Sequence, residues 1–298
     1  MVRAFFIVLL IGVSCYTSYA QDRNLKVITY NIWNGYDWGK DQDRRGRTNR
    51  WIADQKPSIV ALQELCKYTD KKLKEDAQVW GHEYSVLLKT SGYSVGLTSD
   101  EPIELKEKIM KGMHHGALHC RTKNIDVFVI HFSPSSYLKR REEVAIILGK
   151  LADVCENTGE YMVLGDFNAQ SPIDADLYDP NGPLLTRLRV SNKDKPLKGN
   201  LFNEQLDYAV ISSLLAFPLL DVCQPFTSGM NERGSFPGQI LGKVNNETEE
   251  ELIDRMERID FILVSPKLST KCVGAKVCNQ KENYSLSDHY PVIAEFTF

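Results

Sequence analysis

Residues 159–172, GEYMVLGDFNAQSP, carry an apolar run directly into the sequence Gly-Asp-Phe-Asn. The run predicts a short buried strand, and Gly165 permits a tight exit from it. Asp166 and Asn168 are two positions apart, so they face the same way just past the end of the strand. Glycine, aspartate and asparagine are also the commonest turn residues. The stretch alone indicates an ordinary turn or a functional pair, and the rest of the chain has to decide.

The composition of the chain excludes few functions. Its 298 residues are 43 % hydrophobic and 25 % charged, which is ordinary globular usage and allows one large α/β domain or two small ones. A formal net charge of −3 gives no sign of a basic protein that coats polyanions. Nuclease chemistry stays open, because a bound metal ion can supply the positive charge that a phosphodiester needs.

The N-terminus has the pattern of a secretory signal peptide, with Arg3 ahead of the apolar residues 4–13 and a Ser-Tyr-Ala step after them. We expect cleavage after Ala20, which leaves residues 21–298 as the mature chain. The apolar run is too short for a transmembrane span, and no later segment is long and apolar enough. Acylation of Cys15 is the less favoured alternative. The expected location is the periplasm or the medium.

Apart from Cys15, six of the seven cysteines remain in the mature chain. An even number in an exported protein is consistent with up to three disulfides. Cys272 and Cys278 flank a strand-turn-strand pattern and are the best single pair that the sequence offers. Metal-binding cysteines are the alternative, but no C-x-x-C spacing occurs. We therefore expect the cysteines to have a structural role rather than to bind a metal ion.

Short apolar runs alternate with amphipathic segments from residue 24 onward. Strands are predicted in LKVITYNIW, SIVALQEL, YMVLG, RIDFILVSP and HYPVIAEFTF, and helices in RTNRWIADQKP and SYLKRREEVAIILGKLADVCEN. Two hairpins are predicted as well, one in residues 81–105 and one that turns at Lys123 and Asn124. Strands before and after helices, mostly in hairpins, favour an α/β sandwich of two sheets flanked by helices.

Two polar, glycine-rich stretches, residues 34–47 and 226–251, match no predicted element. Loops of this length in a compact domain are usually functional or disordered. No repeat, low-complexity tract or linker separates a second domain, so we expect one.

Polar side chains recur where the predicted strands begin or end, namely Asn31, Glu64, His131, Asp166, Asn168, Asp260, Asp288 and His289. Each has an ordinary explanation: Asn31 as a cap, Glu64 as a solvated edge residue, His131 as a structural histidine. Asp260 has a neighbouring partner in Arg258. Together they form the usual rim of an active site in a layered α/β fold.

The motifs TYNIW, ALQEL, VIHFS, GDFN, RIDFI and SDHYPV occur in this order along the chain. In order and rough spacing the sequence resembles the endonuclease/exonuclease/phosphatase superfamily, the metal-dependent fold of DNase I, from about residue 25 to residue 298. The resemblance implies a four-layer α/β sandwich, with two mixed, mainly antiparallel sheets packed face to face and helices outside. It also implies a phosphoesterase catalytic domain over residues 21–298, which we expect to be monomeric.

The resemblance implies a hard divalent cation, usually Mg²⁺, with Mn²⁺ or Ca²⁺ in some members. Such ions prefer carboxylate and carbonyl oxygens. Glu64 would be the principal metal ligand, with Asn31 and Asp288 completing or supporting the shell. The metal would neutralise charge on the phosphate and stabilise the leaving oxygen.

The resemblance also implies roles for five further residues. Asp166 would orient or deprotonate the attacking water, and Asn168 would donate a hydrogen bond to the phosphoryl oxygens. His289 would act as general acid/base or, when protonated, as a clamp on the transition state. Asp260 would hold the other nitrogen of His289, fixing its tautomer and raising its pKa. His131 would protonate the leaving group. Which group takes the proton of the water stays open.

Basic residues near these motifs are candidate substrate contacts. His115 stands where many members carry a basic residue, and it either contacts phosphate when protonated or is a surface histidine. Arg44 and Arg45, with the neighbouring Arg47 and Arg50, either line a groove that meets phosphates or belong to a solvated helix start. The aromatic residues of the same loop would stack a base or sugar, or simply pack.

The resemblance narrows the substrate without naming it. The chain lacks the WCDRIL-type motif of phosphoinositide 5-phosphatases, and His131 replaces a tyrosine of the abasic-site repair enzymes. The polar stretch 226–251 also disfavours membrane docking of the sphingomyelinase type. We rank a secreted phosphodiesterase first, nucleic acid being one candidate substrate. A phosphomonoesterase on small compounds is second, and a non-catalytic phosphate-binding module third.

Overall fold

A computed structural model describes residues 24–157, 159–193 and 199–298 of the chain. The predicted signal peptide, residues 1–20, lies outside the described residues. None of the helices in the described ranges has the length and hydropathy needed to cross a bilayer.

Strands make up the centre of the fold. They are β1 (Asn24–Asn31), β2 (Ile59–Gln63), β3 (Tyr84–Leu87), β4 (Gly96–Ser99), β5 (Glu104–Ile109), β6 (Ala117–Thr122), β7 (Ile125–His131), β8 (Tyr161–Asp166), β9 (Leu201–Phe202), β10 (Gln205–Leu206), β11 (Leu220–Asp221), β12 (Asp260–Val264), β13 (Cys272–Val277) and β14 (Val292–Thr297). One six-stranded sheet has the order β13-β14-β1-β2-β4-β3, and the other has the order β11-β12-β8-β7-β6-β5. Each sheet is antiparallel except for one central parallel pair, β1 with β2 and β7 with β8. The sheets are therefore mixed and mainly antiparallel, as the sequence predicted.

Helices connect and cover the strands. They are α1 (Trp33–Gly39), α2 (Gln42–Gln55), α3 (Asp70–Val79), α4 (Tyr137–Cys155), α5 (Pro183–Asn192), α6 (Ala209–Ala216), α7 (Met230–Arg233), α8 (Ile240–Asn245), α9 (Glu249–Ile253) and α10 (Pro266–Ser269).

Three apolar clusters define four layers. The first lies between the two sheets and includes Val27, Leu97, Val127 and Ile262. The second packs α4 and α6 on the outer face of one sheet, and the third packs α2 and α3 on the outer face of the other. Each fully buried aliphatic side chain contributes roughly 1.5–3 kcal/mol. The predicted four-layer α/β sandwich is confirmed, and it holds the strand ends of both sheets rigidly.

The two stretches without a predicted element are more structured than expected. In residues 34–47, the side chain of Asp41 accepts a hydrogen bond from the backbone N–H of Arg44 and caps α2, which begins earlier than the apolar pattern indicates. In residues 226–251 the chain forms the short helices α7, α8 and α9. Thr248 and Glu251 form a capping box at the start of α9, a signal that the sequence carried.

The predicted disulfide between Cys272 and Cys278 is wrong. Cys272 begins β13 and Cys278 directly follows that strand, so no turn separates them. Six residues of strand span about 20 Å, at a rise of about 3.3 Å per residue. A disulfide requires Cα atoms within about 7 Å of each other. All six cysteines in the described ranges are free thiols.

Candidate active site

Three neighbouring strands bring three titratable side chains to one edge of a sheet. β7 ends at His131, β8 ends at Asp166, and β12 begins at Asp260. In the ladder, Asp166 lies opposite His131 on one side and opposite Asp260 on the other. The sequence predicted polar residues at these strand boundaries, and the register makes them direct neighbours.

Gly165 allows the strands to approach closely at this edge. Its φ is 142°, and a Cβ atom there would collide with the carbonyl oxygen of Ile130 on β7, so the position requires glycine. Beyond it, Asn168 adopts a left-handed conformation and donates its backbone N–H to Oδ1 of Asp166 over 2.9 Å. The side-chain amide of Asn168 donates to the carbonyl of Phe132 over 3.1 Å. The opening stretch is thus a turn that also presents polar groups to the site.

Hydrogen bonds connect Asp260, His289, Asn31 and Asp166. Nδ1 of His289 lies 2.8 Å from Oδ2 of Asp260, and its Nε2 lies 3.8 Å from Oδ2 of Asp166. The side-chain amide of Asn31, on the other sheet, donates to Oδ2 of Asp166 over 3.0 Å. Nε2 of His131 lies 3.4 Å from the same oxygen. All five side chains are buried. Because Asp260 occupies Nδ1, the other ring nitrogen of His289 faces Asp166 and the side-chain amide of Asn31, whose nitrogen lies 3.5 Å from it.

Electrostatics makes the two histidines different. Burial would lower the pKa of His289, but the carboxylates of Asp260 and Asp166 outweigh it and hold this pKa well above its ordinary value. Burial, together with the nearby His115 and His289, holds the pKa of His131 well below its ordinary value. Burial also raises the pKa of Asp166 to about 8, although the charge of His289 opposes this. A cationic and a neutral imidazole therefore flank one carboxyl group.

Arg258 does not neutralise Asp260, although the two are close in sequence. The Arg258 guanidinium is fully buried and pairs with Asp174 and Asp221. This ion pair leaves the carboxylate of Asp260 to His289. The ordinary explanation for Asp260, a pair with its neighbour, is therefore wrong.

The segment that follows β1 has an uncommon backbone. Residues 33–38 of α1 all have φ between 50° and 63°, a left-handed conformation that costs L-residues about 1–2 kcal/mol each. The segment directs the backbone N–H of Trp33 to Oδ1 of Asn31 over 3.1 Å. It directs the N–H of Asn34 to Oε2 of Glu64 over 2.6 Å. The unfavourable conformation thus positions two side chains of the site, which is where such strain concentrates.

Arg44 holds this left-handed segment in place. Its guanidinium donates to the carbonyls of Ile32, Trp33 and Leu286 over 2.9, 3.0 and 3.1 Å. It also lies 5.0 Å from the ring centres of Trp33 and Tyr36. Because the side chain is buried and its donors are used on the backbone, we correct the expectation that Arg44 contacts phosphate.

Arg45 is occupied in a similar way. Its Nε donates to Oδ1 of Asp76 over 2.8 Å, and Asp76 is buried. The same carboxylate accepts hydrogen bonds from Asn49 and Tyr68. Arg45 thus ties α2 to α3, and the expected phosphate-binding groove of arginines is not formed by these two residues.

His115 is neither a surface residue nor a cation. Its ring stacks on that of His131, with 4.3 Å between the ring centres, and Tyr93 lies 5.2 Å away. Burial lowers the pKa of His115 to about 3, and the positive charges of His114 and Lys89 contribute. The expectation that a protonated His115 contacts phosphate is therefore wrong near neutral pH.

A cavity of about 350 Å³ opens at this edge of the two sheets. Its lining includes most of the predicted site residues, namely Glu64, His131, Asp166, Asn168, Asp288 and His289. The structure therefore brings side chains from both sheets to one space that a substrate can enter.

Two carboxylates of the cavity fit a divalent cation. Burial and the negative charge of Glu64 raise the pKa of Asp288 to about 7, which a bound cation would reverse. We propose Glu64 and Asp288 as ligands, supported by Asn31. Ligand atoms of Asp166, Asp260 and His289 also lie within 4.8 Å of one another. The hydrogen bond between Asp260 and His289 already uses two of these atoms, so this trio fits a metal ion less well.

The sequence did not indicate several residues that support the site. Ser235 accepts hydrogen bonds from the backbone N–H groups of Ile259 and Asp260, both over 3.1 Å. The ring of Phe236 lies 4.8 Å from that of His289. Both lie in the stretch 226–251, which carried no periodic pattern, so no sequence signal could have placed them.

The sequence model of the Endonuclease/Exonuclease/phosphatase family matches residues 28–289. The chain belongs to this family. Members are phosphoric ester hydrolases that depend on divalent metal ions, so the chain is a phosphoesterase. No curated protein matches the chain in a sequence comparison.

Solved structures of the family share the fold. An AP endonuclease from Archaeoglobus fulgidus is 20 % identical, with a TM-score of 0.63 over 91 % of this chain and 99 % of that one. The 3′ phosphatase NExo from Neisseria, bound to a product DNA hairpin, is 22 % identical, with a TM-score of 0.66 over 92 % of this chain and 100 % of that one. The 3′-5′ exonuclease NExo from Neisseria meningitidis is 22 % identical, with a TM-score of 0.62 over 91 % of this chain and 99 % of that one. At these identities the likeness concerns the fold alone.

We expect Arg44→Met to lower the free energy of unfolding by about 3 kcal/mol, because the charged donor of three hydrogen bonds is lost. Affinity for Mg²⁺ should fall about tenfold, as is usual when the support of a ligand is removed. Urea unfolding and calorimetric Mg²⁺ titration measure the two effects. Arg50→Met, which replaces an exposed arginine of the same helix, is the matched control and should change neither. A folded Arg44→Met protein with unchanged Mg²⁺ affinity would contradict the positioning role.

We expect His115 to make the fold less stable in acid. Its pKa is about 3 in the folded chain against an ordinary value of 6.5. Below pH 6.5 the unfolded chain therefore binds a proton that the folded chain does not, and stability falls as pH falls. By pH 5 the loss from this group is about 2 kcal/mol. Urea unfolding at pH 7 and pH 5 should show a smaller loss in His115→Asn, and an equal loss would contradict the buried neutral state.

Proposed function

We propose that the chain is an exported, Mg²⁺-dependent phosphodiesterase. The observation that carries the proposal is the hydrogen-bonded set Asp260, His289, Asn31 and Asp166 at the rim of a cavity that also holds Glu64. The metal, when bound to Glu64 and Asp288 with Asn31, would neutralise phosphate charge and stabilise the leaving oxygen.

The side chains around Asp166 divide the proton transfers between them. Asp166, held by Asn31 and by the backbone of Asn168, would orient the attacking water, and it can accept the proton of that water only in its ionised form, which predominates above a pKa of about 8. The protonated His289 would bind the non-bridging oxygens, and its charge is sustained by Asp260. His131, which burial keeps neutral near pH 7, would donate a hydrogen bond to the leaving oxygen, and the expectation that it protonates the leaving group is corrected. Asn168 donates one amide hydrogen to Phe132, so its second one is left for a phosphoryl oxygen.

The charges at the catalytic end of the cavity favour a diester over a monoester. Glu64, Asp166 and Asp288 line this end beside the cationic His289. With Asp288 ionised by a bound cation beside Glu64, a monoester dianion, which carries two negative charges, is repelled more strongly than a phosphodiester, which carries one. The monoesterase is kept as the second candidate, because a metal ion reduces this repulsion. Nucleic acid is one candidate source of the diester, and we propose a monomeric enzyme.

We expect the mature chain to hydrolyse bis-p-nitrophenyl phosphate with Mg²⁺ and to stop when EDTA removes the metal. His289→Ala should lower kcat about 10²–10⁴-fold, the usual contribution of a general acid or base. The matched control is His119→Gln, because His119 is also a buried histidine paired with an aspartate, Asp126 over 2.8 Å, but does not line the cavity. Faster turnover of p-nitrophenyl phosphate would favour the monoesterase. Binding of phosphate without turnover of either ester would indicate a non-catalytic module.

Export is proposed from the sequence of residues 1–20 alone. When the full chain is expressed, we expect the intact mass of the product in the periplasm or medium to correspond to a chain that begins at Gln21. A chain that retains residues 1–20, or one that begins at an acylated Cys15 and partitions into detergent, would contradict cleavage at Ala20.

A further inference from the structure

Further charged side chains line the cavity besides the catalytic ones. Two arginines line it, Arg187 on α5 and Arg255 just after α9. Glu247 joins them: it receives Nε and Nη2 of Arg255 over 3.0 and 2.6 Å and Nη1 of Arg187 over 3.1 Å. Asn245 donates to the same carboxylate over 2.9 Å. These two guanidinium groups and one carboxylate together carry one net positive charge; the buried Glu257 also lines the cavity and interacts with Arg255, and burial raises its pKa.

Each carboxylate oxygen of Glu247 accepts two hydrogen bonds, whereas the arginines have N–H groups that Glu247 does not use. Arg187 gives Glu247 one of its N–H groups, and Arg255 gives two, so each guanidinium keeps further donors. Arg255 is buried, with 7 % of its surface exposed, and it is held rigidly by the bidentate pair. Arg255 is thus a fixed guanidinium fork of the kind that suits carboxylate or phosphate oxygens, whereas the side chain of Arg187 is 55 % exposed and is held by a single hydrogen bond.

The walls between the charged groups are apolar and close together. Leu184, Arg187 and Leu188 are spaced at three and four along α5, so one face of this helix lines the cavity. Leu241 on α8 and Phe236 add apolar surface. A volume of about 350 Å³ is at the low end for small-molecule sites, which span about 300–1,000 Å³. A volume at this end of the range suits a compact ligand.

We propose that the Arg187–Glu247–Arg255 cluster is a subsite for a second anionic group, so that the substrate is a compact phosphoester with an apolar body and a second negative charge. This proposal rests on the phosphodiesterase function proposed above. A structural role of the cluster, in which it only ties α5 to α9, is the competing explanation.

A pair of esters that differ only in the second anion tests the subsite. Thymidine 5′-(p-nitrophenyl phosphate) is compared with the same ester bearing a 3′-phosphate, since both release p-nitrophenol at the same bond. We expect kcat/KM to be about tenfold higher for the 3′-phosphorylated ester, the usual worth of one charge-assisted hydrogen bond. Arg187→Gln should remove most of this preference, measured as the ratio of kcat/KM for the two esters in the same variant.

The matched control is Arg189→Gln. Arg189 is on the same helix but donates to the carbonyls of Glu204 and Pro180 and does not line the cavity. It should keep the native preference. Equal kcat/KM for the two esters, or a preference that Arg187→Gln leaves intact, would overturn the subsite while the phosphodiesterase stands. Faster cleavage of plasmid DNA than of either ester would overturn the compact substrate.

Binding separates failure of the subsite from failure of the enzyme. If neither ester is cleaved, the proposed function is wrong, and calorimetry with thymidine 3′,5′-bisphosphate still decides on the subsite. Binding by the native chain that weakens about tenfold in Arg187→Gln, but not in Arg189→Gln, supports it. Equal binding by all three proteins, or none, overturns it.

Discussion

The site depends on one hydrogen bond between the two sheets, from the amide of Asn31 to the carboxyl group of Asp166. Asn31 ends β1 and Asp166 ends β8, so the bond forms only when the sheets pack at the correct offset. That offset is set by the apolar cluster between the sheets, which is fully buried and close-packed. Stability and catalysis therefore share a cause: the packing that holds the fold together also aligns the two halves of the site.

Around this bond, each reacting group has a separate support. Asp260 fixes the tautomer and charge of His289 because Arg258 is drawn away by Asp174 and Asp221. Glu64 is positioned by the backbone of the left-handed segment, residues 33–38, which Arg44 stabilises. Such contacts orient the side chains that would bind the metal or transfer protons, and losing them usually weakens metal binding or activity. Strain in the backbone is concentrated beside the cavity, where it serves to direct N–H groups.

Membership of the family does not identify the substrate, but the residues that line the cavity restrict the kinds of substrate that we propose. Side chains of α5 and α8, with Phe236, line the cavity together with the two arginines Arg187 and Arg255. The arginines that follow β1, by contrast, are used on backbone carbonyls and on Asp76. We therefore propose that recognition of substrate depends on the segments between β8 and β12 more than on Arg44 and Arg45.

The sequence by itself predicted the sandwich, through motifs that resemble the family, and it marked Glu64, Asp166, Asp260 and His289 as candidate site residues, because apolar strands that end in polar motifs are local patterns. It did not determine which groups Arg44 would bind, or that His115 would be buried and neutral. The sequence of an arginine cluster is the same whether the side chains face solvent or backbone carbonyls, and the sequence around a histidine does not show whether the histidine is buried. Likewise, the pattern around Cys272 and Cys278 predicts a turn, whereas the pairing with β14 extends one strand between them. Those outcomes depend on contacts between residues far apart in the chain, which only the tertiary structure fixes.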